Sequence, residues 1–194
     1  YEHSDIEFVN INELKSSRLE KIKNLSYFKD WSDNPLWESS MLRIFYLFEL
    51  AKFLKIDEFI HFDNDVILYK PFSEINSLMI NGKLNITPLT SNFLVFGYSY
   101  MNNLTIYDEI CENVFNIYNS PKKYEKDYYQ GKKIIEMKAL YIVYNQNPNL
   151  FNLLPVHPKD SGKYVFDPAS YGQYLSGLHN KRFSRKFTDK THIL

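Results

Sequence analysis

The longest organised run of apolar positions extends from about Glu38 to Lys55. Met41, Leu42, Phe45, Phe48, Leu50 and Phe53 recur at helical spacing and cover a face broad enough that the helix must be largely buried. Ser39, Arg43 and Tyr46 fall at i, i+4 and i+7 on this helix and form a polar stripe. A short Ile56-Asp57-Glu58 link leads into FIHF, Phe59 to Phe62, which has the length of a buried strand. It ends at Asp63-Asn64-Asp65 and continues as Val66-Ile67-Leu68. Pro71 stops that element, and Ser73 to Leu78 predicts a short helix capped by Ser73.

Upstream, Ile6 to Ile11 has the composition of a short strand. Downstream, Ile86-Thr87 and Phe93 to Phe96 predict two more strands, separated by a Pro/Thr/Ser/Asn turn. Tyr100 to Tyr118 predicts a long surface helix, and Lys122 to Lys133, charged and rich in tyrosine, an exposed loop or frayed helix. Ile134 to Tyr144 predicts a helix that NQNPN breaks, Phe151 to Leu154 a strand, and Ala169 to Leu175 a last helical turn or two. Strands alternating with helices predict an α/β fold with an open, mainly parallel sheet flanked by helices.

Composition narrows the function classes. The 194 residues suit one domain over 1–194. With 23 Lys+Arg against 23 Asp+Glu the chain is formally neutral, which argues against a nucleic-acid partner. The single cysteine, Cys111, excludes an internal disulfide framework and a Cys-based zinc cluster. No stretch approaches the ~20 apolar residues that cross a bilayer, and YEHSDIEFVN does not read as a signal peptide. A cytoplasmic location is the expectation, although N-x-[ST] sequons occur at Asn24, Asn85 and Asn103.

The candidate chemistry lies in FIHFDNDVIL. Strand alternation puts Asp63 and Asp65 on one side, or a tight turn fans them around one point. Two converging carboxylates suit a hard divalent cation, Mg²⁺ or Mn²⁺. With eleven Asp in the chain, chance alone gives roughly 0.6 D-x-D strings, so the motif gains weight only from its position. That position is a strand's carboxyl end, where open α/β sheets bind ligands. An EF-hand is excluded, because Ile67 and Leu68 stand where its loop needs an oxygen ligand and a glycine. Arg43, inside a buried helix, needs an anion; either Asp63/Asp65 or a substrate phosphate would serve.

The S-x-x-x-R helix, the I-D-E link, F-I-H-F and then D-N-D-V-I-L resemble the core of GT-A-fold glycosyltransferases. The likeness is to the Rossmann-like nucleotide-diphospho-sugar transferases of family-eight-like or capsular-polysaccharide type. It is good from Glu38 to Gly97 and loose in the C-terminal third. It implies transfer of a sugar from a nucleotide donor, most simply a UDP-sugar, to a glycan or other hydroxyl acceptor, in polysaccharide biosynthesis.

The likeness assigns Asp63, Asp65 and His179 to a Mn²⁺ or Mg²⁺ ion, with Asp65 binding directly and Asp63 nearer the donor ribose or sugar. Ser39, Arg43, Asn64, Asn92 of SNFLVFG and Gln173 of the G-Q-Y-x-x-G segment would contact the donor. Glu136 would face the acceptor, and Asp63, Asp65 and Glu136 form the implied catalytic set. His61 reads as a core histidine or a supporting partner, and His157 as loop structure.

Two departures stand out. Little precedes Ile6, so either the chain is trimmed ahead of the family's nucleotide-binding strand or its base site is reduced. The family's late H-x-x-G-x-x-K-P-W form is absent, and FDPASYGQYLSGLHN is the local substitute. Two other readings remain. One is a haloacid-dehalogenase-like Mg²⁺-dependent phosphatase, whose hhhhDxDx[TV] motif matches in part, with Ile67 at the last position. The other is a non-catalytic sugar-nucleotide-binding domain.

Overall fold

The computed structural model describes residues 6–29, 35–64, 66–156 and 163–168. Asp65, His157, Gln173, His179 and the helical turn expected over 169–175 lie outside the described residues. The helices are α1 (Ser17–Lys23), α2 (Ser26–Lys29), α3 (Pro35–Leu54), α4 (Phe72–Ile75), α5 (Leu104–Asn119), α6 (Pro121–Tyr129) and α7 (Glu136–Gln146). The strands are β1 (Phe59–Phe62), β2 (Leu84–Thr90), β3 (Phe93–Met101) and β4 (Phe151–Leu153).

Helix α3 starts at Pro35, whose fixed φ suits a first turn, three residues ahead of the expected start. It closes at Lys55, which takes a φ of 56°, while the Ile56 N–H donates to the Ala51 carbonyl at 3.0 Å. Met41, Leu42, Ile44, Phe45, Phe48 and Ala51 are buried along it.

The chain is α/β, with a four-stranded mixed sheet in the order β1-β3-β2-β4. The expected mainly parallel arrangement is not what forms. Only Ser91 and Asn92 connect β2 to β3, and so short a link can only fold back antiparallel. Strand β3 lies between β1 and β2 and pairs antiparallel with both, and only β2 and β4 pair in parallel.

One face of the sheet carries the main core, built with α1, α3, α5 and α7. The other face carries a smaller cluster of Ile75, Tyr98 and Leu154, with Phe72 and Phe166 packed on it. An irregularity in β3 links the two. Ile86 pairs with Ser99 and the next residue, Thr87, with Val95, so Phe96, Gly97 and Tyr98 are extra on β3. Leu94 and Phe96 belong to the main core, Tyr98 to the smaller one and Met101 to the main core again. Extra residues in one strand re-aim the side chains around them.

Elsewhere the expectations need revision. Residues 6–10 form no strand; Ile6 and Phe8 are exposed, and Asn10 caps the 3-10 turn Ile11–Glu13. Residues 66–68 form no strand either. Ser73 lies inside α4, whose capping position is Pro71. Tyr100 and Met101 belong to β3, and α5 begins after Asn103, whose side chain accepts the Ile106 N–H at 3.1 Å. Helix α5 is no surface helix, since Tyr107, Ile110, Cys111, Val114, Ile117 and Tyr118 are buried. Asn85 is fully buried and holds the Ile80 N–H at 2.7 Å and the Tyr100 carbonyl at 3.2 Å, so the folded chain keeps that sequon from glycosylation.

Candidate functional site

Strand β1 delivers Asp63 to the carboxyl edge of the sheet. The Asp63 N–H donates to the Gly97 carbonyl at 2.9 Å, and its own carbonyl accepts the Val66 N–H at 3.0 Å, fixing a tight turn. The turn meets β3 within its irregular stretch. A Cβ on Gly97 would lie 3.3 Å from Asp63 Oδ2, so the missing side chain gives the carboxylate its room.

Arg43 reaches this carboxylate from the middle of α3. Nη1 donates to Asp63 Oδ1, and Nη2 donates to Glu136 Oε1 at 2.7 Å. The guanidinium lies over the Phe96 ring, 5.6 Å from its centroid, and His61 stacks on the same ring at 5.0 Å. One arginine therefore joins α3, the end of β1 and the first turn of α7. Exposure grades across the group, from 7% for the Glu136 side chain to 25% for Arg43 and 33% for Asp63. The cluster opens to solvent at Asp63.

The electrostatics follow from this gradient. The His61 imidazole and the Arg43 guanidinium hold the Asp63 carboxyl below the usual carboxylate range, against the opposing effect of burial. Of the two, Arg43 makes the hydrogen bond; His61 Nε2 stands 3.5 Å from Oδ1 without hydrogen-bond geometry. Burial pushes Glu136 the other way, up to about 7, although Arg43 pulls it down. Two carboxylates share one guanidinium, so the opening is negative when both are ionised. Asp63 Oδ2 has no hydrogen-bond partner among the described residues.

The structure brings Arg43, Asp63, Glu136 and His61 together and leaves other expected residues apart. Ser39 is exposed and its hydroxyl donates to the Leu36 carbonyl at 2.9 Å. The Tyr46 ring lies under Lys23 Nζ at 4.9 Å. The expected polar stripe therefore does not converge, and only Arg43 enters the cluster. Asn64 is exposed at the tip of the turn. Asn92 sits in the β2–β3 connection, its Oδ1 accepting from Thr90 Oγ1 at 2.9 Å and its carbonyl from Tyr129 Oη at 2.9 Å. Four strand residues, Phe93 to Phe96, separate it from Gly97.

Two contributors escaped the sequence reading. Phe96 supports both Arg43 and His61, and Gly97 accommodates Asp63. Their signal was a glycine inside an apolar strand, which marks a close backbone approach.

As a cation site, the described part of the cluster offers one hard oxygen donor, Asp63 Oδ2. That fits Mg²⁺ or Mn²⁺, which bind through one or two carboxylates and take water or substrate phosphate for the rest. Among the described residues no group of three or more His, Cys, Asp or Glu could hold a metal. The neighbouring Asp65 lies outside them. No helix among the described residues is long and apolar enough to cross a membrane. Comparison with known proteins leaves the arrangement on its own terms: no protein-family model matches the chain, and no curated protein or solved structure matches it significantly.

Proposed function

We propose that the chain is a GT-A-type glycosyltransferase domain that moves a sugar from a nucleotide-diphosphate donor, most simply a UDP-sugar, to a hydroxyl of a glycan or other acceptor. The observation that carries this reading is Asp63. It is an ionised carboxylate fixed by backbone at a strand's carboxyl end, with one oxygen neutralised by Arg43 and the other open. Asp63 Oδ2 would accept a donor hydroxyl or hold Mg²⁺ or Mn²⁺ together with Asp65. A bound metal would supply the positive charge that a leaving diphosphate needs. Arg43, braced by Glu136, fixes where Asp63 points and keeps two nearby carboxylates from repelling each other. Glu136 is buried against Arg43, so its contribution here is to position the arginine.

Isothermal titration of UDP-sugars with and without Mn²⁺ tests the reading. The unmodified chain should bind a UDP-sugar more tightly with Mn²⁺. Asp63→Asn and Asp65→Ala should lose that dependence while keeping a cooperative unfolding transition. Absence of any nucleotide-sugar binding, or metal-dependent release of phosphate from a simple phosphate ester, would overturn it. Binding without transfer or hydrolysis of the sugar would favour a non-catalytic binding domain.

A further inference from the structure

The chain is neutral as a whole, but its charge is unevenly distributed. From Pro121 to Lys138 there are six lysines and three carboxylates. Two of those carboxylates point inward. Glu125 is buried and accepts the Tyr27 hydroxyl at 3.1 Å, and Glu136 is buried against Arg43. Only Asp127 remains exposed, beside exposed Lys122, Lys123, Lys126 and Lys132. Glu125 Oε2 also pairs with Lys122 Nζ at 3.1 Å, which leaves Lys123, Lys126 and Lys132 exposed beside the single exposed carboxylate, a locally basic surface. Crowding leaves a trace at Lys138, whose ammonium is held below its ordinary pKa by burial and by neighbouring Lys132. Tyr124 and Tyr128, half-buried and stacked at 6.4 Å, lie between the lysine stems on α6.

This basic surface has a fixed address. Tyr129, the last residue of α6, donates to the Asn92 carbonyl at 2.9 Å, tying the helix to the β2–β3 connection. That connection lies at the same edge of the sheet as the carboxyl end of β1. The loop leaving β1 at this edge carries Ile67, Leu68 and Tyr69 at 57%, 50% and 86% exposure. Three large apolar or aromatic side chains in succession are therefore open to water at this end of the sheet.

We propose that this edge docks on a membrane surface bearing anionic headgroups. Lysines 123, 126 and 132 would meet the lipid phosphates. Ile67 and Leu68 would enter the acyl boundary, with Tyr69 at headgroup level, where amphipathic rings settle. A soluble polyanion would engage the lysines but gives the apolar loop nothing to enter, and that difference favours the bilayer. The inference does not depend on the sugar-transfer reading.

Co-sedimentation of the full chain with vesicles tests it, using phosphatidylcholine alone and phosphatidylcholine mixed with phosphatidylglycerol. The chain should pellet with the anionic vesicles, stay free of the neutral ones and be released by added salt. The combined Lys123→Glu, Lys126→Glu and Lys132→Glu variant should lower partitioning about a hundredfold, at roughly fivefold per lysine. Ile67→Ser with Leu68→Ser should lower it about tenfold. Thermal unfolding of each variant checks the fold, and the salt titration of the unmodified chain stands even if a variant fails to fold. Equal pelleting on both vesicle types, an unchanged lysine variant, or lysine-dependent binding to polyphosphate without vesicle binding would overturn the proposal.

Discussion

Arg43 and Glu136 meet at 2.7 Å across 93 residues of sequence, and their contact joins the middle of α3 to the first turn of α7. The same guanidinium holds Asp63, so three elements share one cation. The Glu136 carboxyl is almost fully enclosed, and burial raises it to about 7 despite the arginine.

A pH dependence of stability follows. A carboxyl whose folded pKa lies above its ordinary 4.5 binds more protons in the folded state than in the unfolded one. Its contribution is full below 4.5 and is lost as pH rises through about 7. Urea denaturation across that window should show the unmodified chain losing on the order of 2 kcal/mol relative to Glu136→Gln. Asp63 acts in the opposite sense and at lower pH, because its lowered pKa gives stability that disappears as acid protonates it. Parallel pH profiles for the two proteins between 4.5 and 7 would show that Glu136 is ionised throughout.

Removing the arginine should cost more. Arg43→Met leaves Glu136 buried without its partner and Asp63 without its hydrogen bond, a loss of about 2–4 kcal/mol. Arg43→Lys keeps the charge but not the fork that spans both carboxylates, so its loss should be about half as large. In a double-mutant cycle, Glu136→Gln should cost less in the Arg43→Met background than alone, by about 1 kcal/mol or more. Additive losses in urea unfolding would mean that the contact contributes nothing to stability.

Much of this site was legible in the sequence, for identifiable reasons. FIHF is short, apolar and followed at once by acidic residues, so β1 and the place of Asp63 could be read from local pattern. Arg43 stood out because an arginine inside a buried helix requires an anion. Its second anion was not legible. The Glu136 contact depends on α7 packing against α3, and no local period encodes that. Strand β3 was read too short because Gly97-Tyr98-Ser99-Tyr100 interrupts apolar alternation where the register shifts. Lys122 to Lys133 read as an exposed loop or frayed helix, and most of it is the helix α6, because its charge hides an inward face of Glu125 and Tyr129.

That inward face offers a prediction away from the site. Tyr27, in α2, places its hydroxyl 3.1 Å from Glu125 Oε1 and accepts the Ile134 N–H at 2.6 Å. Tyr27→Phe leaves a buried carboxylate oxygen and a buried amide without that partner, and should cost about 1–3 kcal/mol in urea unfolding. Hydrogen exchange at the Ile134 amide should accelerate with it. Unchanged exchange there would show that the amide is protected by something other than Tyr27.

Gly97 provides a test of whether Asp63 is held where a ligand needs it. A methyl group at this position would stand 3.3 Å from Asp63 Oδ2 and 3.4 Å from Val95 Cγ1, so its neighbours must yield by a few tenths of an ångström. The backbone there does not need glycine's left-handed freedom, since among the described residues the positive-φ glycines are Gly82 and Gly131. Gly97→Ala should therefore fold, with stability within about 1 kcal/mol of the unmodified chain, because the entropy removed from the unfolded state offsets part of the crowding. The carboxylate is the group free to yield, since its Oδ2 faces the opening, whereas Val95 is packed within the strand. Moving away from Gly97 disturbs its bond to Arg43, so an NMR titration should find the Asp63 pKa higher than in the unmodified chain. Donor affinity should fall about tenfold in the same variant, a loss near 1.4 kcal/mol. An unchanged Asp63 titration together with unchanged donor binding would show that the space beside Gly97 has no bearing on the site.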